Sequence, residues 1–254
     1  MPLSVSDLKK YHKDGFVIPD YRLSEGSLEA IKSDYDKLLR ANPEFKDYCP
    51  HLLQYDLGFL NYARDPNILD MVEQVLGSNL ILWNSSLFAK PAGNGKKTPW
   101  HQDGEYWPIR PLATCTVWIA IDDATKENGC LKFMRGSHKD KRLRQHRTSD
   151  DPNLTLHQEL LESEYDDEKA FHLELKAGQM SLHDVYLLHG SEANNSSNPR
   201  RGMTMRFMPG SSVFDREKAK QLHNELGVVN HTNRTIFLMR GYDQTGENDF
   251  CMRL

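Results

Sequence analysis

The chain has 254 residues, 38% of them hydrophobic and 27% charged, with a formal net charge of -4. Its acidic balance, without a basic face or tail, excludes a nucleic-acid binder, and no apolar run approaches the about 20 residues that a membrane span requires. Four cysteines (Cys49, Cys115, Cys130, Cys251) show no CxxC spacing and no framework density, which excludes a structural zinc site and predicts reduced thiols in the cytoplasm.

The N-terminal MPLSVSDLKKYHKDG lacks the apolar core of a signal peptide. The sequons at Asn84 and Asn195 are then expected to carry no glycan. The first third reads helical. Ser24 caps a predicted helix from Glu25 to Arg40, with Leu28, Ile31, Tyr35, Leu38 and Leu39 along one face. Asp65-Pro66 reads as a cap followed by proline at the first helical position, and Gly77 as the stop. Ile68, Leu69, Val72, Val75 and Leu76 form the apolar face between them.

From Leu80 onward short strand-like runs alternate with Gly, Asn and Pro clusters: LILWNSSLFAKP, TCTVWIAIDD, GCLKFMRGSH, AFHLELKAGQMSLHD, VYLLHGS, RGMTMRFMP and TIFLMRG. Strands of this length behind a helical layer predict a mainly β sandwich or barrel with outer helices. All-β chains of this size commonly form one domain, so residues 1–254 are read as one. Residues 139–169 break the rhythm. They are long, polar and charged, as a lid, a substrate loop or a tolerated surface insertion would be. The basic stretch from Lys139 to Arg147 reads first as a solvated connection and second as an anion-steering loop. One further helix is predicted over Asp215–Leu226.

The chemistry concentrates in TPWHQDGEYW, residues 98–107. On a strand, positions i and i+2 share a face, so His101 and Asp103 both aim inward and Gln102 points away. Far along the chain, His189 ends an apolar run, followed by Gly190, Ser191 and the pair Arg200-Arg201. Two histidines and one carboxylate on β positions make the facial triad that holds non-haem Fe(II) with coordination sites left open. A bidentate oxo-acid carrying a second carboxylate then needs a fixed cationic fork nearby, which arginine supplies.

The ordered set FAKPAGNGKKTPWHQDGEYWPIRP, TVWIAIDDATKENGCLKFMRGSHK, GQMSLHDVYLLHGSEANNSSNPRR and FLMRG resembles the phytanoyl-CoA dioxygenase-like branch of the Fe(II)/2-oxoglutarate-dependent oxygenases, over most of the chain. The opening YHKDGFVI is similar to the family's start. The resemblance implies a double-stranded β-helix (jelly-roll or cupin-like) core with helices outside one sheet. It implies His101, Asp103 and His189 as iron ligands, and 2-oxoglutarate and O₂ as co-substrates. It also implies Arg200, eleven residues after His189, as the partner of the distal carboxylate of 2-oxoglutarate. Ser191 is its hydroxyl partner, and Trp118 falls where the family often has a tryptophan near the co-substrate. Arg201 competes with Arg200, and the spacing favours Arg200. Lys90 and Gln102 also match family positions, Lys90 as either an ion-pair or a structural residue. Family halogenases replace the carboxylate ligand by a small residue. Asp103 is retained, which favours hydroxylation of a C–H bond with release of succinate and CO₂. Desaturation, epoxidation or cyclisation on a natural product stays open, as does a non-catalytic metal-binding β-barrel.

If residues 200–208 form one strand, Arg200, Gly202, Thr204 and Arg206 share its inner face, and Met203, Met205 and Phe207 take the other. Arg206 is then a cavity cation that meets either an anionic group of the substrate or Glu105. Asn84, Tyr106 and Trp107 complete the pocket wall, and Trp100 shields the ligands. With no CoA-sized basic surface evident, a small polar or anionic metabolite is the expected substrate. His138 is expected to serve structure. His183 is expected to support the ligands or pack in the core, and Met180, Met203, Met205 and Met208 to fill the core.

Overall fold

In the long helices, a side-chain oxygen meets the first-turn amides. The computed structural model describes residues 2–253. Ser4 and Asp7 form a reciprocal capping box on α1 (Val5–Asp14), which ends at Gly15 with φ of 88°, a left-handed conformation that suits glycine. Ser24 accepts from the Ser27 amide at 3.1 Å to start α2 (Glu25–Ala41), one residue longer than predicted. Two four-residue helices follow, α3 (Leu52–Tyr55) and α4 (Leu60–Ala63). Asp65 accepts from Asn67 and Ile68 at the start of α5 (Pro66–Leu76), and Gly77 ends it. Asp215 caps α6 (Arg216–Leu226) by accepting from the Lys218 amide at 2.8 Å. The predicted helix over Asp215–Leu226 therefore begins one residue later, with Asp215 as its cap.

The strands form two antiparallel sheets. The larger contains β1 (Phe16–Val17), β3 (Leu80–Lys90), β6 (Cys115–Ala120), β11 (Met180–Asp184), β13 (Arg200–Pro209) and β15 (Phe237–Arg240), in the order β1-β11-β6-β13-β3-β15. Strand β2 (Tyr48–Cys49) also pairs with β3. The smaller contains β4 (Thr98–His101), β7 (Leu131–Phe133), β10 (Phe171–Leu173) and β12 (His189–Ser191), in the order β10-β7-β12-β4. Two short ladders lie outside these sheets. One pairs β5 (Ile109–Arg110) with β14 (Val213–Phe214), and the other β8 (His146–Thr148) with β9 (Gln158–Leu160). The two large sheets enclose a cavity lined by Trp118, Thr204 and Arg206 on one side and His101, Leu131 and His189 on the other.

Strand parity decides which residues see that cavity. On β13, Met203, Met205 and Phe207 are fully buried with Ile31 and Leu38 of α2 and Ile68 and Val72 of α5, forming the core between the large sheet and the helices. Arg200, Thr204 and Arg206 take the other face and line the cavity. Met180 joins the same outer core, and Met208 is buried in a second cluster with Trp83 and Trp107. Leu39 and Val75 are only partly buried, at the rim of their helix faces.

Residues 139–169 are not a plain loop. They contain the β8–β9 hairpin, whose tip returns to the segment before the His101 strand: the Lys97 amide donates to Asn153 O at 3.2 Å and the Thr155 amide to Lys97 O at 2.8 Å. Gln158 Nε2 donates to Leu226 O at the end of α6. The insertion is thereby fastened to two elements at the cavity mouth.

One prediction needs correcting. His101 and Asp103 do not share a strand: β4 stops at His101, and Asp103 opens a 3-10 turn, Asp103–Tyr106. Gly104 permits the bend by packing under Leu112, Leu143 and Val185, where an added Cβ would lie 2.8–3.1 Å from their side chains. Asp103 still reaches the cavity, through a turn rather than by strand parity.

Candidate active site

His189 and His101 lie opposite each other on β12 and β4, with ring centroids 4.1 Å apart. Each imidazole is aimed by the same local device. His101 Nδ1 bonds Pro99 O and His189 Nδ1 bonds Leu187 O, both at 2.9 Å and both two residues back. With Nδ1–H donating to a carbonyl, Nε2 keeps its lone pair. Both Nε2 atoms point at Asp103: Oδ1 is 3.6 Å from His101 Nε2 and Oδ2 is 3.9 Å from His189 Nε2. All three residues are buried, and their ligand atoms lie within 4.8 Å of one another. Burial, followed by the neighbouring His101, holds His189 well below the usual histidine range, so its imidazole is neutral. Burial alone would raise the carboxyl of Asp103, but His189, His101 and Arg206 together hold it well below the usual carboxylate range. Neutral imidazole and ionised carboxylate are the ligating forms, so this donor set fits a divalent metal.

Across the inner cavity stands Arg200, buried on β13. Its Nε donates to Gly129 O at 3.2 Å, its Nη2 lies 3.5 Å from Ser191 Oγ, and its guanidinium sits over the Trp118 ring at 5.6 Å. Burial pushes its pKa down to about 10. Among the described residues no ion pair to Arg200 is formed, an unusual condition for a buried cation. Arg201 differs in every respect. It points to the outer face, holds both Asp122 oxygens at 2.8 Å, and approaches Asp36 at 3.4 Å. Lys90, opposite Arg200 on β3, donates to Lys96 O and packs beneath Gly95 and Gly129. Of the two roles weighed for it, it takes the structural one, fastening the loop before β4.

Gly202 has a specific reason to be glycine. A Cβ there would lie 2.2 Å from Trp118 Cζ2. Gly202→Ala is therefore expected to displace the Trp118 ring and to cost about 1–3 kcal/mol of stability, read as a lower midpoint in denaturant unfolding. An unchanged midpoint would contradict this packing.

Outside this recess a larger cavity of about 290 Å³ opens over His101 and Asp103. Tyr106, Trp107, Asn84 and Arg206 all line it, together with Tyr48 and Phe88. The tip of the 139–169 insertion, residues 155–158, closes one side, and residues 227–229 beyond α6 close another. The alternative partner for Arg206 is not engaged: among the described residues it makes no ion pair with Glu105, and its Nη1 donates to Ser86 Oγ at 2.9 Å. Trp107 and Phe88 flank its guanidinium, with ring centroids at 5.0 and 5.8 Å.

One cavity residue, His231, and one behind the cavity wall, Arg234, carried no sequence signal. Arg234 donates to Asn84 Oδ1, to Pro50 O at 2.8 Å and to His231 Nδ1 at 2.6 Å, and so braces the pocket wall. His231 lines the cavity itself. Both lie in an irregular stretch without periodicity, and their partners are remote in sequence. Gln102 does point away from the ligands, but it is fully buried rather than idle. Its amide group joins Arg142 O, Tyr186 O and the Arg144 amide, tying the segment between the ligands to the insertion. Trp100 faces away from the cavity, donating to Asp167 at 2.7 Å. His138 bonds His12 O and stays outside the site, whereas His183 lines the inner recess with its ring 5.3 Å from that of His189.

Known proteins resemble this chain in sequence and in fold. The phytanoyl-CoA dioxygenase (PhyH) family model matches residues 11–202. The human peroxisomal phytanoyl-CoA dioxygenase is 26% identical over 287 residues, spanning 96% of this chain and 83% of that protein. Ectoine dioxygenase of Bordetella bronchiseptica is 26% identical over 234 residues, covering 80% of this chain and 74% of its own. The solved apo structure of the non-heme monooxygenase ThoJ superposes with a TM-score of 0.72 at 24% identity, over 94% of this chain and 85% of that one, which establishes the shared fold. With the family model spanning most of the residues that build both sheets, the chain belongs to the phytanoyl-CoA dioxygenase family and is a dioxygenase.

Proposed function

We propose that the protein is an Fe(II)- and 2-oxoglutarate-dependent hydroxylase acting on a C–H bond of a small polar or anionic metabolite, with release of succinate and CO₂. The observation that carries this reading is the buried His101–Asp103–His189 set facing Arg200, a buried arginine without a carboxylate partner among the described residues, across one recess. Ferrous iron, when bound by these three residues, supplies the activation of O₂ coupled to decarboxylation of 2-oxoglutarate.

The chain's own residues do the positioning. The Nδ1 bonds of His101 and His189 fix both rings with Nε2 toward the metal position. A single carboxylate, Asp103, leaves the centre with net positive charge, suited to an anionic chelating co-substrate. Arg200 and Ser191 take the distal carboxylate of 2-oxoglutarate in bidentate fashion, with Trp118 as the wall behind them. Tyr106 and Trp107 hold the substrate over the ligands, and Arg206 attracts its anionic group. The hairpin tip at residues 155–158 keeps bulk water from the reacting centre.

Among the described residues, no helix is long and apolar enough to cross a membrane. The four cysteines are unpaired, which supports the cytoplasm as the working compartment. The deciding experiment incubates the protein with Fe(II), 2-oxoglutarate and O₂ and measures succinate. Production that stops when any one of the three is omitted is expected. A protein that binds iron yet releases no succinate under any substrate would instead be a metal-binding barrel.

A further inference from the structure

Three buried polar atoms without hydrogen-bond partners fall on one line across the large sheet. Arg206 of β13 is paired in register with Thr116 of β6, and Thr116 with His183 of β11. Arg206 Nε, Thr116 Oγ1 and His183 Nδ1 each lack a partner among the described residues. The three side chains are 5%, 1% and 2% exposed, and all line the recess that also holds His101, Asp103 and His189. Leaving a buried polar group unsatisfied costs about 1–3 kcal/mol. Three such groups in one row, on the wall of a cavity, point to a ligand that satisfies them.

Their chemistry selects that ligand. A guanidinium N–H, a hydroxyl and an imidazole nitrogen arranged side by side suit a planar oxyanion with two acceptor oxygens. No carboxylate forms an ion pair with Arg206 among the described residues; the acid beside it, Asp103, is already committed to the two histidines. The rings of Trp107 and Phe88 hold the guanidinium between them, and Tyr48 and Tyr106 extend the same wall. The anion is therefore attached to an apolar body. Arg206 stands six residues along β13 from Arg200, about 20 Å of extended strand, so the one recess carries an arginine toward each end.

We propose that Arg206, Thr116 and His183 form a carboxylate subsite for the primary substrate, which is accordingly a monocarboxylate with an aromatic or other apolar body. The inference rests on the functional reading above and adds to it the substrate class and two of the recognising groups.

The test is binding, so that it can fail independently of turnover. The probes are 3-phenylpropionate and its neutral amide, titrated calorimetrically into metal-free protein, and again under nitrogen with Fe(II) and saturating 2-oxoglutarate. One charge-assisted contact corresponds to roughly tenfold or more in affinity, so the carboxylate is expected to bind at least that much more tightly than the amide. Arg206→Lys, which loses the fork, and Thr116→Val, which loses only the hydroxyl, are each expected to erase most of this preference. Thr116→Ser is expected to keep it, which separates a lost contact from a misfolded variant. Equal binding of acid and amide, an unchanged preference in both Arg206→Lys and Thr116→Val, or displacement of the probe by 2-oxoglutarate would overturn the assignment. Absence of succinate in the turnover assay, with the binding preference intact, would instead count against the oxygenase reading.

Discussion

Asp103→Ala is expected to abolish succinate release and to weaken Fe(II) binding by at least about 100-fold, the upper end of what losing a mere supporting contact costs a metal site. Three observations set that expectation. Asp103 is the sole carboxylate in the cluster, lies 3.6 and 3.9 Å from the two Nε2 atoms, and is buried. It therefore supplies both a ligand and the negative charge that balances the cation. Removing it leaves two imidazoles and no compensating charge, which hold a divalent ion far less well in a desolvated site. Equilibrium dialysis of iron and a succinate assay check this together. Iron affinity within a few-fold of the parent would mean that the cluster is not the metal centre. The loss should not come from unfolding, because Asp103 sits on a turn whose packing is carried by Gly104 and whose neighbour Gln102 makes its own anchoring bonds.

The second large effect separates two adjacent arginines. Arg200→Ala is expected to raise the KM for 2-oxoglutarate by roughly 100-fold, since truncating one partner of a buried charge pair costs about 2–5 kcal/mol. Arg201→Ala is expected to leave that KM unchanged and to lower stability by about 1 kcal/mol through loss of its bonds to Asp122. The sequence offers both residues on equal chemical terms; the structure sends one inward, with no carboxylate partner among the described residues, and the other outward onto two acids. Initial-rate kinetics across a 2-oxoglutarate titration, with denaturant unfolding alongside, measures both. A KM that rises for Arg201→Ala and not for Arg200→Ala would reverse the assignment.

The comparison of these two arginines shows what kind of information the sequence holds. Strand parity sorted β13 correctly, with Arg200, Thr204 and Arg206 on the cavity and Met203, Met205 and Phe207 in the outer core, because alternation is a local property of an extended chain. The caps at Ser24 and Asp65 were legible for the same reason: each involves a side chain and an amide two or three residues away. The Asp103 turn was misread as strand because what ends β4 is the packing of Gly104 against Leu112, Leu143 and Val185, all distant in sequence. The role of residues 139–169 has no local signature, since it depends on where the hairpin tip lands.

The sequence by itself determined the ligand types, the helices α2, α5 and α6 to within a residue, and the faces that the β13 side chains take. Those follow from residue chemistry and from periods of two and 3.6. Only the tertiary structure decided that Arg234 braces Asn84, that residues 155–158 wall the cavity, and that Arg206, Thr116 and His183 stand in one row. Each of these is a meeting of segments tens of residues apart, set by strand register and core packing, and no local pattern in the chain encodes it.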